Sequence, residues 1–179
     1  MSPKILLSTK KIEVILNRLA CQLIEKHRDL SNVVLVGLQP RGTFLLDRLV
    51  SILENYYGVE KVIFGKLDIT FFRDDFRRFD KTLAASSSQM DVIIEDKSVV
   101  IIDDVLFTGR SIRAALTALD TYGRPCDIQL LVLIDRRFSR DLPIQPDYIG
   151  VQVDALQGDR VKVEWKVENK EDIVYIEKK

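Results

Sequence analysis

At 179 residues, with 46% hydrophobic and 30% charged side chains, the chain suits one domain with a substantial core. Lysine plus arginine balances aspartate plus glutamate at 27 each, so a nucleic-acid partner would need a local basic patch rather than a basic protein. No apolar run is long enough to span a membrane, and Met1 to Lys11 lacks the pattern of a cleaved leader, so the expected location is the cytoplasm.

Ile12, Ile15, Leu16, Leu19 and Leu23 recur at helical spacing and predict an amphipathic helix over Lys11 to about Arg28. Within it, the single histidine, His27, reads as a solvated helix end rather than a catalyst. Cys21 and Cys126 show no metal-ligand spacing and read as buried free thiols. Val33 to Val36 predicts a first buried parallel strand, and Gly37-Leu38-Gln39-Pro40-Arg41-Gly42 follows at its carboxyl edge. Two glycines around a proline and an arginine suit either an anion-holding loop or a plain strand-to-helix connection.

Leu45, Leu49, Ile52, Leu53 and Tyr56 mark a second helix ended by Gly58, and Lys61 to Ile69 reads as a strand. Thr70 to Met90 holds no sustained period, and a connection of that length is functional or mobile. Arg77, Arg78 and Lys81 within it fit a solvated charge run as well as a site. Asp91 to Glu95 suggests a short strand that pairs as a hairpin with the next one.

The centre of the chain is Val99 to Ser111, reading Val-Val-Ile-Ile-Asp-Asp-Val-Leu-Phe-Thr-Gly-Arg-Ser. Four apolar β-formers predict the middle of a parallel sheet, with Asp103 and Asp104 at its carboxyl edge, where open α/β sheets gather ligands. Two adjacent carboxylates there call for hydroxyls or a metal. Thr108-Gly109-Arg110-Ser111 then opens a helix with Ile112, Ala115, Leu116 and Leu119 on one face. Free backbone N–H groups, the helix dipole and two hydroxyls make this turn a cradle for a phosphate. A capped turn beside two surface aspartates is the plainer alternative.

Gly123 and Pro125 stop that helix, Ile128 to Ile134 predicts another buried strand, and Asp135 to Asp141 a charged loop. Tyr148 to Val153, Val161 to Val167 and Ile173 to Ile176 read as alternating edge strands.

The run from Val99 to Ser111 resembles the signature of type I phosphoribosyltransferases, which bind phosphoribosyl pyrophosphate (PRPP) through an acidic pair and a Thr-Gly loop. Asp68 to Asp75, Gly123-Arg124-Pro125, Leu142-Pro143-Ile144 and Asp147 to Gly150 extend the resemblance to the pyrimidine-operon regulators, a family combining RNA-binding attenuation with uracil phosphoribosyltransferase activity. The likeness covers nearly the whole chain. It implies an α/β fold with a mainly parallel sheet, flanking helices and a small hood, and a homodimer or larger assembly.

The resemblance also implies roles. Leu106, Phe107, Thr108, Gly109, Arg110 and Ser111 would hold the 5′-phosphate; Asp103 and Asp104 would hold the ribose hydroxyls, directly or through water on magnesium. Leu38, Gln39, Pro40, Arg41 and Gly42 would hold pyrophosphate, and Arg73 in the loop at 70–90 would neutralise its charge. Phe107, Arg136 and Arg137 would lie at the base, and Phe107, where purine-using relatives carry an acid, would favour a pyrimidine, making uridine monophosphate (UMP) from uracil. Arg18, Lys26 and Arg140 keep positive charge on the family's RNA face, whereas Cys21, Gln145 and Val151 replace its His, Arg and Lys. A nucleotide-sensing attenuator with little catalysis, or a transferase for another base, is the alternative.

Overall fold

The structure, a computed structural model, describes residues 3–28, 30–74, 87–156, 158–166 and 171–178. Arg77, Arg78 and Lys81 lie outside them.

The chain runs β1 (Lys4–Leu7), α1 (Thr9–His27), β2 (Val33–Leu38), α2 (Gly42–Asn55), β3 (Ile63–Leu67), a 3-10 turn (Thr70–Phe72), β4 (Ser98–Leu106), α3 (Arg110–Leu119), β5 (Asp127–Arg137), β6 (Tyr148–Asp154), β7 (Arg160–Glu164) and β8 (Ile173–Glu177). Five strands form one sheet in the order β3-β2-β4-β5-β6, every neighbouring pair parallel. Such a sheet must be covered on both faces, and alternate residues of β4 show how. Val100 and Ile102 enter a core with α1 and α2, while Val99 and Ile101 enter a second core with α3. Both faces of the central strand are therefore covered, and both of its edges are taken, by β2 and β5.

That occupancy overturns the expected hairpin at Asp91–Glu95. No strand forms there; the segment turns, with the Lys97 N–H donating to the Ile94 carbonyl, and Ile94 sinks into the second core. β4 has β2 on one edge and β5 on the other, so it has no edge left for a hairpin partner.

The last strands divide. β6 closes one edge of the parallel sheet, whereas β7 and β8 join β1 in a separate antiparallel sheet, the hood, in the order β1-β8-β7. β1 lies in a segment for which the sequence suggested no strand; it pairs with β8, Ile5 opposite Tyr175. The hood is fastened to α2 by Arg48, whose guanidinium meets the Asp172 carboxylate at 2.5 Å and lies 4.5 Å from the Trp165 ring centre.

Three local readings change as well. His27 turns inward, its Nε2 3.0 Å from both Gln129 Oε1 and the Tyr148 hydroxyl, because α1 packs its C-terminal end on the start of β5 and β6. Cys21 and Cys126 are free but not buried: Cys126 is exposed and Cys21 half-buried. β4 continues through Leu106, so the acidic pair lies within the strand rather than beyond its end. Among the described residues no helix is long and apolar enough to cross a membrane.

Candidate active site

Successive residues of a strand face opposite sides of its sheet, and Asp103 and Asp104 are successive residues of β4. The two carboxylates therefore look into different spaces. Asp103 joins a cavity of about 280 Å³ lined by Arg73, Asp74 and the stretch from Val105 to Ile112. Asp104, only 7% exposed, points to the α2 side, where its Oδ2 lies 3.9 Å from Arg41 Nη1.

Burial pushes the Asp103 carboxyl well above the ordinary carboxylate range, and the Asp104 charge adds to it. The Asp104 backbone N–H, donating to Asp103 Oδ1 at 2.9 Å, and the charge of Arg73 pull the other way without winning. A pair in this state gains from any cation or hydroxyl donor that approaches.

The turn after β4 is built to stay open. Gly109 sits at φ +90°, a conformation that side chains resist, and a Cβ there would stand 3.2 Å from Ile144. No side chain caps α3, and its first turn contains no acid. The loop after β5 braces the turn from behind: the Asp141 N–H donates to the Thr108 carbonyl at 3.0 Å, and Arg140 donates to the Phe107 carbonyl while pairing with Asp135. Arg110 turns its side chain away to Asp74 and Asp141, at 2.5 and 3.0 Å.

On the other side, the Gln39–Pro40 bond is cis and Thr43 donates to the Pro40 carbonyl at 2.7 Å. Arg41, which precedes α2, donates to the Val163 carbonyl of the hood. Gly42 presses against β4: a Cβ there would lie 2.4 Å from the Ile102 carbonyl oxygen. Leu38 is buried at the end of β2, and Gln39 reaches the Ser87 carbonyl at 3.1 Å.

A third region joins the cavity wall to the hood. Phe107, 44% exposed, lies with its ring centre 4.0 Å from the Arg136 guanidinium carbon, and both line a hollow of about 500 Å³ closed by Gly158, Asp159, Arg160, Glu177 and Lys178. Arg136 is buried, donates to the Asp159 carbonyl at 3.2 Å and keeps an Nε with no partner among the described residues. Arg137 is not part of this hollow. The next residue on β5 faces the opposite way, and Asp154 holds it at 2.6 and 2.7 Å.

Sequence reading missed the hood residues of this hollow. They lie some twenty to forty positions beyond Arg136, just outside the stretches that read as alternating edge strands, so no local pattern marked them. Asp74 belonged to a recognised phrase, yet nothing in the residue itself indicated its arginine partners.

A parallel sheet with an acidic pair, an uncapped helix start and an arginine loop at one edge defines a phosphoribosyl-binding α/β protein. The family described as phosphoribosyl transferase domain matches residues 2–171. The fold resembles the hypoxanthine phosphoribosyl transferase of Trypanosoma cruzi, with a TM-score of 0.73 and 18% identity over 97% of this chain and 91% of that one. A hypoxanthine-guanine-xanthine phosphoribosyltransferase gives 0.68 and 15% identity over 98% and 94%. Nearer relatives are the "Bifunctional protein PyrR" of Microcystis aeruginosa, 42% identical over 91% of this chain and 92% of that protein, and of Geobacter sp., 40% identical over 97% of each. The chain belongs to the phosphoribosyltransferases and, within them, to the PyrR family.

Proposed function

We propose that the protein transfers the ribosyl 5-phosphate of PRPP to uracil, forming UMP and pyrophosphate, as a cytoplasmic enzyme. The observation that carries this reading is the acidic pair divided between the Thr108–Ser111 turn on one side and Arg41 with Gly42 on the other. In it, the open start of α3 and the hydroxyls of Thr108 and Ser111 take the 5′-phosphate. Asp103 and Asp104 take the ribose hydroxyls. Arg41 and Arg73 receive charge as the bond from C1 to the pyrophosphate oxygen breaks and the bond from C1 to the uracil nitrogen forms, the proton of that nitrogen going to solvent. The cationic ribosyl centre needs nearby negative charge and dryness more than a protein nucleophile.

Magnesium fits these residues. A carboxyl whose protonation is raised by burial and by the adjacent Asp104 charge favours a divalent cation. That suits an ion held by one or two carboxylates, water and substrate oxygens. Bound there, it would neutralise pyrophosphate charge.

For the base, Phe107 offers a ring face and no proton acceptor, which favours a pyrimidine over a purine that must lose a proton to a side-chain base. Phe107→Ala is expected to raise KM for uracil by about tenfold while PRPP affinity stays within about twofold, since only the ring face is lost. Steady-state kinetics with each substrate varied checks this. A KM for uracil equal to wild type would remove Phe107 from the base site.

The RNA-binding reading is weaker because Cys21, Gln145 and Val151 replace the family's His, Arg and Lys, and the cations that remain also make contacts within the chain. Arg18 donates to the Ile149 and Gly150 carbonyls, Lys26 lies 3.9 Å from Asp147, and Arg140 pairs with Asp135. Pyrophosphate release from PRPP and magnesium with uracil, hypoxanthine or guanine tests the proposal. Uracil-dependent release supports it; release with a purine alone replaces the base. Absence of release, with sub-micromolar nucleotide-dependent gel shift of a pyrimidine-operon leader, would make the chain an attenuator.

A further inference from the structure

Two arginines crowd the first turn of α3, Arg110 and Arg113, three residues apart and so on one face of the helix. Cations at a helix N-terminus oppose its dipole as well as each other. One carboxylate answers both: Asp74 Oδ2 lies 2.5 Å from Arg110 Nη1 and 2.9 Å from Arg113 Nη2. For Arg113 it is the one ion-pair partner among the described residues, whereas Arg110 has a second in Asp141 at 3.0 Å.

Asp74 follows Arg73 directly, and both line the cavity that holds Asp103. The preceding 3-10 turn, Thr70–Phe72, also packs on α3, and its start is tied by the Thr70 N–H and hydroxyl donating to Asp68 Oδ1 at 2.7 and 2.5 Å. Upstream of Arg73 the backbone is thus held by Asp68, and downstream by the two arginines. A residue fixed at both neighbours has little freedom to leave the cavity.

We propose that Asp74 is a positioning residue of the phosphoribosyl-transfer reaction: its clasp on Arg110 and Arg113 holds Arg73 beside Asp103, the carboxylate assigned to the ribose, so that its cation stands where the pyrophosphate leaves that ribose. The inference rests on the transferase reading given above. Because Asp141 still tethers Arg110, removing Asp74 loosens Arg73 and leaves the 5′-phosphate cradle standing.

The test uses the full chain with three variants, Asp74→Asn, Asp74→Glu and Arg113→Gln, read by pyrophosphate release and by calorimetric affinities for PRPP and ribose 5-phosphate. Asp74→Asn is expected to lower kcat roughly tenfold, the scale of a misplaced charge-stabilising group. PRPP affinity should fall about threefold and ribose 5-phosphate affinity stay within about twofold, because only PRPP carries the pyrophosphate. Asp74→Glu, which keeps the charge, should recover kcat to within about threefold of wild type. Arg113→Gln should shift kcat in the same direction, and the double variant with Asp74→Asn should be no worse than Asp74→Asn alone.

Wild-type kcat in Asp74→Asn, equal loss of both ligands, or additive effects in the double variant would each overturn the proposal. If the wild type releases no pyrophosphate with any base, the transferase reading fails separately. The clasp is then decided by the two affinities, with selective loss of PRPP supporting it and unchanged affinities sinking it.

Discussion

Asp104→Asn is expected to reduce turnover of PRPP by at least about a hundredfold while the protein stays folded. The side chain is nearly the same size, so packing around a residue 7% exposed is kept and only the charge facing Arg41 is lost. Stability should move the other way. Burial and the Asp104 charge hold Asp103 well above the ordinary carboxylate range, so the folded state binds a proton that the unfolded chain has released. Folding stability therefore falls as pH rises from the ordinary carboxylate value through the raised one, and the loss is complete above it. Removing the Asp104 charge lowers the folded Asp103 value and shrinks that loss. Melting curves between acid and neutral pH should show the variant at least as stable as wild type, with its relative gain growing toward neutrality. A wild-type rate in the variant would break the assignment of the pair; a variant that melts far earlier at neutral pH would contradict the repulsion.

Gly42→Ala is expected to damage both stability and catalysis, for one steric reason. The added methyl would stand 2.4 Å from the Ile102 carbonyl oxygen and 3.2 Å from the Asp103 Cα, atoms of the central strand that cannot rotate aside. Either α2 retreats or β4 bends. Overpacking of this kind costs about 2 kcal/mol, or roughly 6 °C in Tm for a chain of this length. The catalytic effect should be larger than the stability loss explains, because Arg41 precedes Gly42 and its placement at Asp104 moves with the helix start. A fall of about a hundredfold in kcat/KM, measured well below the lowered Tm, is the expected result. Gly58, with no atom within 4 Å of a built Cβ, is the control. Its Gly58→Ala variant should lose about 1 kcal/mol through its φ of +69° and keep its activity. Unchanged kinetics in a folded Gly42→Ala would remove the loop at 37–42 from the pyrophosphate side of the site.

Much of the architecture is legible because buried parallel strands and amphipathic helices announce themselves locally. Val33–Val36, Val99–Ile102 and Ile128–Ile134 are apolar runs that only a sheet covered on both faces accommodates, and each is a strand here. The Thr108–Ser111 turn stands out locally too: the groups that make it a candidate phosphate cradle are backbone and hydroxyls within four residues. Asp91–Glu95 misled because a short apolar stretch beside a strand fits a hairpin until both flanks of that strand prove taken. Charge alone does not reveal which face of β5 a residue occupies; the last residues of the strand alternate, and Asp154 holds Arg137 on the face away from the Phe107 hollow.

By itself the sequence determined the α/β class and the order of the central elements, which follow from short-range periodicity, and it singled out Asp103, Asp104 and the Thr108–Ser111 turn as candidates from their residue chemistry. Only the tertiary structure decided that Asp104 meets Arg41 while Asp103 shares a cavity with Arg73, that Lys4–Leu7 pairs with Ile173–Glu177 to build a hood, and that Asp74 answers two arginines more than thirty positions away. The physical reason is common to all three. They depend on which surfaces meet once the sheet has closed its flanks, and contacts across such distances along the chain leave no periodic trace in it.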